Sequence, residues 1–152
     1  MDHRAAAFRY SLAPVLKRDA WERDTLGGEL QRARLLAEQS LRVYNAALAQ
    51  VSAAEARMRE LHRPEQAIEL AGLRLLHVYL EQAHLAAAMR RSELRTAMGL
   101  LEQVQTQFES KRLAVRTLEK HRERLRLEHQ QDQGRRQQHA ADDAWLMRSA
   151  PR

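Results

Sequence analysis

Residues 73–125 read LRLLHVYLEQAHLAAAMRRSELRTAMGLLEQVQTQFESKRLAVRTLEKHRERL. Counting sevens from Leu73 gives Leu80, Ala87, Leu94, Leu101, Phe108 and Val115, every one apolar. The companion positions, Leu76, Ala83, Arg90, Ala97, Val104, Lys111, Leu118 and Leu125, are apolar at six of eight. A 3-4 spacing held this long keeps one stripe of a helix against a partner helix, which is the pattern of a coiled coil. Arg122, His129 and Asp132 then occupy seam positions, so the repeat fades after about Leu118.

The partner helix lies in the first half of the chain. A looser stripe runs through Leu26, Leu30, Ala33, Ala37, Leu41, Tyr44, Leu48, Val51, Met58 and Leu61, with a stutter around Ala33–Leu41 that locally changes the supercoil. Gly27-Gly28 marks a weak point or bend in a continuing helix. Pro14 suits a first turn with Ser11 as N-cap. Pro64 stands between the two stripes, and His62-Arg63-Pro64 is the natural place for the chain to reverse, with Gly72 as a competing site. A reversal at Pro64 sets Leu48 beside Leu80, Leu41 beside Ala87 and Leu12 beside Val115. The expected fold is therefore all-α: a single elongated, antiparallel two-helix coiled-coil hairpin spanning 1–152. Helix 1 covers about 11–62, the tip about 63–72 and helix 2 about 65–147, the second helix outlasting the first as an unpaired overhang after about 118. Because the two stripes match within one chain, a monomer is expected.

Composition narrows the function. The chain has 152 residues, no cysteine, five glycines and three prolines, with aromatics at only 5%. That excludes disulfides, thiolate metal sites and a cysteine nucleophile, and it is too little ring and turn material for a conventional enzyme of this size. No Gly-rich phosphate loop or local Ser/His/Asp arrangement is present, so no catalytic residue, cofactor or enzymatic activity is expected. Glu81-x-x-His84, near His77, matches half of a carboxylate-bridged di-iron motif, but no second Glu-x-x-His accompanies it. Solvated histidines are the expected reading, with no metal. No apolar run reaches the roughly 18–20 residues of a membrane span, and the start has no signal-peptide pattern, so an intracellular protein without a transmembrane segment is expected.

Lys and Arg total 26 against 20 acidic residues, a net charge of +6 and a pI near 10.4. A pI above 9 is a first hint of nucleic-acid binding. The basic stretch, however, follows the leucine repeat instead of preceding it as in a basic zipper, and Glu119 and Glu123 interrupt it. A solvated helix face is the expected reading, with no nucleic acid as partner. Trp145-Leu146-Met147 near the end reads as a hydrophobic anchor for a partner. A generic coiled-coil tether or scaffold, and less so a nucleic-acid-binding hairpin, are the competing functional classes.

Both ends of the chain carry a resemblance. Phe8-Arg9-Tyr10-Ser11-Leu12-Ala13-Pro14-Val15-Leu16 resembles the F-x-x-x-L-x-P-x-L opening of FliJ-type proteins. Leu118-Glu119-Lys120-His121-Arg122-Glu123-Arg124, followed by a Gln/Arg/His-rich run into Asp142-Asp143 and Met147-Arg148, resembles their C-terminal region. FliJ proteins and their YscO-type relatives in virulence injectisomes are stalk subunits of type III secretion export ATPases. The resemblance implies a long antiparallel coiled coil whose joined termini enter the hexameric ATPase, whose hairpin half contacts the membrane export gate, and which handles free export chaperones. It places the chain in the cytoplasm, peripheral at the inner membrane, in a flagellar or an injectisome system. Phe8, Leu12, Val15, Leu118, Lys120, Arg122 and Met147 would belong to the ATPase end, joined by Arg126 and Trp145 of the overhang. Tyr44, Tyr79, Ala83 and Ala86 resemble the gate-contacting positions.

Overall fold

The computed structural model describes residues 7–62 and 70–149. It is an antiparallel two-helix coiled-coil hairpin: α1 spans Ala13–Leu61 (49 residues) and the longer α2 spans Leu70–Ser149 (80 residues), with no strand among the described residues. The proposed reversal at Arg63-Pro64 lies outside the described residues. Gly72, the competing reversal point, is already inside α2. Two units can be distinguished: an inner unit, Thr25–Phe108, and a terminal unit, Met1–Asp24 with Glu109–Arg152.

In the inner unit the α2 seam follows the heptads. Ala83, Ala87, Ala97 and Val104 are buried, Leu73, Leu76, Leu80, Leu94, Leu101 and Phe108 are half-buried, and only Arg90 is exposed. Arg90 instead turns along the helix to Glu93, 2.8 Å away.

The α1 seam differs from the expected stripe. Leu41 and Leu48 are 46% and 42% exposed, and their places are taken by half-buried Ser40 and buried Ala47, with Ala54 also buried. With Ser40, Ala47 and Ala54 included, the steps from Leu26 to Leu61 alternate three and four without interruption, so the expected stutter is absent. The cause is size. Alanines at 33, 37, 47, 54, 83, 87 and 97 fill the seam with small side chains, which favours close packing of the two helices, and the bulkier Leu41 and Leu48, one position on from Ser40 and Ala47, are left at the rim.

The register also differs. A reversal centred on Pro64 sets Gly27 opposite Leu101, whereas its neighbour is the Phe108 ring, 3.5 Å from where a Cβ would stand. Likewise Ala87, expected beside Leu41, clusters with Ala47, Val51 and Ala83, and Leu80 packs on that cluster. The displacement is about one heptad, the one slip that a seven-residue repeat cannot detect, because it returns the same stripes to contact. Helix α1 continues unbroken through Gly27-Gly28.

Candidate functional site

The terminal unit is built around the start of α1. The Leu16 N–H donates to the Leu12 carbonyl at 3.0 Å, so Leu12 and not Ser11 is the N-cap. The Ala13 N–H closes a turn onto the Tyr10 carbonyl at 3.2 Å. Pro14 then sits at the second helical position, where its missing N–H costs nothing. Upstream of that turn the chain is non-helical, and it lies along α2. The Tyr10 hydroxyl donates to the Leu118 carbonyl at 3.2 Å and stands 3.0 Å from His121 Nδ1. The Phe8 and His129 rings lie 5.7 Å apart, tilted by 46°.

These contacts move the start of the overhang. Pairing does not end near Leu118: Leu125, His129 and Gln133 are still half-buried, and only from Gly134 on is every described side chain exposed. An extended residue advances about 3.3 Å and a helical one about 1.5 Å, so each residue of the lead covers roughly two of α2. A helix-for-helix count misses this.

Beneath the turn lies a polar pair in the seam. Asp19 is 6% exposed, in the same terminal unit as buried Leu16 and Val115, the latter at 2% the most deeply buried side chain among the described residues. Arg18 donates to Asp19 Oδ1 from Nε at 3.1 Å and Nη2 at 2.9 Å, and Lys111 Nζ reaches the same oxygen at 3.4 Å while also pairing with Glu22. The Arg18 hydrogen bonds hold the Asp19 carboxyl below its usual range against the opposing effect of burial, with Lys111 acting in the same direction. The hydrogen bond to Glu22 raises Lys111, with Asp19 contributing. A depressed acid stabilises the fold above its unfolded pKa of about 3.9, and a raised lysine does so below about 10.4. Asp19→Asn is therefore expected to lower the melting temperature at pH 7. The gap between variant and parent should close below pH ~4, as the parent's Asp19 takes up its proton. A gap unchanged at pH 3 would remove the charge from the explanation.

The expected ATPase-end residues fall into four sets. Phe8, Val15 and Leu118 are half-buried and help hold the lead and α1 on α2. Leu12 is 38% exposed. Lys120, Arg122 and Arg126 are exposed, and Arg126 lies 3.9 Å from Glu123 within the helix. Arg112 and Arg124 also have helix neighbours, Glu109 and Glu128, whereas Arg116, Lys120 and Arg122 form no ion pair among the described residues. Trp145 and Met147 are 67% and 83% exposed, roughly 28 Å along α2 from Arg126, so basic and hydrophobic sets are separate patches of one helix. Arg148 caps the helix end by donating to the Ala144 carbonyl at 3.1 Å.

The expected gate residues are in the inner unit and do not form one patch. Ala83 is buried in the seam. Tyr44 opens to the side of Ala88, Arg91 and Arg95, whereas Tyr79 lines an open groove of about 980 Å³ with Gln50, Ala53, Arg57 and Leu75. Ala86 is exposed one heptad after Tyr79. His84 pairs across the helices with Glu55 at 3.6 Å and His77 with Glu81 at 3.3 Å, so the two histidines share no carboxylate. Among the described residues no group of three or more His, Asp or Glu is placed to hold a metal.

Sequence reasoning missed Tyr10, His121 and Asp19. Asp19 was within reach, since extending the α1 heptads back from Leu26 passes through residues 23, 19 and 16. The tyrosine–histidine contact has no periodic signal. No described helix is long and apolar enough to cross a membrane. No family model, curated protein or solved structure matches the chain.

Proposed function

We propose that this chain is a non-enzymatic stalk and escort component of a type III secretion export apparatus, of the FliJ/YscO kind. Its terminal end enters the hexameric export ATPase, its hairpin half meets the export gate, and it works in the cytoplasm at the inner membrane without hydrolysing anything itself. The observation that carries the reading is the exposed end of α2 in the terminal unit. Arg116, Lys120 and Arg122, without ion pairs among the described residues, and the exposed Trp145 and Met147 give an acidic and apolar partner two points of attachment. Arginine suits such contacts because its fork holds a carboxylate bidentately. The terminal sequence resemblance supports the same end.

The test compares the purified ATPase alone, with the full chain, and with a chain ending after Gln133. The full chain is expected to raise hexamer-dependent turnover and the shortened chain to lose that effect. The shortened chain should melt as the parent does, since every side chain described beyond Gln133 is exposed. Equal stimulation by both forms would remove Trp145 and Met147 from the contact, and no binding by the full chain would sink the stalk reading. A second reading, a coiled-coil tether or scaffold, is favoured by a second, uncharged stripe left exposed on α2.

A further inference from the structure

The hairpin seam uses one stripe of α2, and another, two positions on from each seam residue, runs along the outer face of the helix. Leu75, Gln82, Met89 and Thr96 are seven apart, and so are Val78, Leu85, Ser92 and Gly99; together they form an unbroken 3-4 repeat over about 36 Å, with every member exposed. Leu75, Val78, Leu85 and Met89 are 73%, 49%, 66% and 60% exposed. None of the eight is charged, in a chain with 30% charged residues. The corresponding outer positions of α1 include Arg32, Arg42 and Glu60, so the stripe belongs to α2 alone.

We propose that this stripe binds the same stripe of a second copy of the chain, antiparallel, about a two-fold axis near Ala88. The flanking charges select that occupant. Along one border stand Arg74, Glu81, Ala88, Arg95 and Glu102, all exposed. Read against itself in reverse, this row sets Arg74 opposite Glu102, Glu81 opposite Arg95, and Ala88 opposite Ala88, so every charge meets its opposite. Arg74, Arg95 and Glu102 form no ion pair among the described residues, and Glu81 has only His77 at 3.3 Å on its own helix. The same axis matches sizes across the seam: Leu75 faces Gly99 and Val78 faces Thr96 of the second copy, Gln82 faces Ser92, and Leu85 meets Met89 at the centre. A parallel pairing sets Gly99 on Gly99 and Gln82 on Gln82 and leaves the border charges facing Tyr79, Ala86 and Leu100, with nothing to pair. Border charges of this kind set orientation and partner choice in coiled coils, and a self-complementary patch closes as a dimer.

The inference uses no residue of the terminal unit and is independent of the stalk reading. The test is sedimentation equilibrium of the full chain at low salt, with far-UV circular dichroism confirming the helicity of each variant. The parent is expected to dimerise. Glu81→Arg and Arg95→Glu each oppose like charges at two symmetry-related points, so each alone should weaken the dimer about tenfold. An equimolar mixture of the two restores both pairings and should dimerise like the parent. These residues are fourteen positions apart on one helix, so rescue on mixing has no explanation within one chain. A parent that stays monomeric at its highest soluble concentration overturns the proposal. So does a dimer indifferent to both substitutions, or a mixture no tighter than its components. Dimerisation without ATPase stimulation keeps this interface and loses the stalk; stimulation by a monomer does the reverse.

Discussion

Val115→Asp is expected to unfold the terminal unit's pairing at temperatures where the parent is intact, lowering the thermal midpoint by roughly 10 °C. Val115 is 2% exposed, follows Phe108 by one heptad and stands one helical turn after Lys111, which pairs with Asp19. Its aspartate would lose an apolar contact and bury a second carboxylate without a cation of its own, at a cost of several kcal/mol. For a chain of this size each kcal/mol moves the midpoint by about 2–4 °C. Leu113, two residues earlier and 66% exposed, supplies the control: Leu113→Asp should change stability by no more than about 0.5 kcal/mol. Differential scanning calorimetry of both variants decides it, and equal melting of the two would mean that α2 does not present the assigned face.

The α2 seam was legible because its signal is redundant. Leu73, Leu80, Ala87, Leu94, Leu101, Phe108 and Val115 repeat one statement seven times, and a single dissenter such as Arg90 cannot hide it. The α1 seam was less legible because hydrophobicity and burial part company there. Ala47 is buried and Leu48 is not, although leucine is the more apolar residue; what decides is the close approach that facing alanines allow. Register was ambiguous in principle, since a repeat of seven is satisfied by any slip of seven, and only a specific neighbour such as Phe108 beside Gly27 removes the degeneracy. At the candidate site, exposed positions such as Arg122, Trp145 and Met147 could be read from the loss of the heptad pattern. The Tyr10–His121 contact could not, because it depends on where an extended segment lies along α2.

Ala47→Phe and Leu48→Ala turn that difference into a measurement. If large apolar residues marked the α1 seam, truncating Leu48 would cost the 2–5 kcal/mol typical of a buried leucine, and enlarging Ala47 would be harmless. The observed packing expects the reverse. Ala47 is 8% exposed and clusters with Val51, Ala83 and Ala87, so a phenyl ring there has no space unless the helices part. Overpacking a closed seam costs about 1–3 kcal/mol, and spreading the alanine pairs on either side adds to it. Leu48 is 42% exposed, so its truncation removes a partly solvated side chain and leaves no enclosed cavity. Its expected cost is about 1 kcal/mol or less. In urea, the Phe variant should unfold at a clearly lower midpoint than the Ala variant, with similar slopes because both expose nearly the same surface. The opposite order would place Leu48 in the seam. It would restore the stutter and void the continuous 3-4 alternation from Leu26 to Leu61, and the close alanine packing of the inner unit would fall with it.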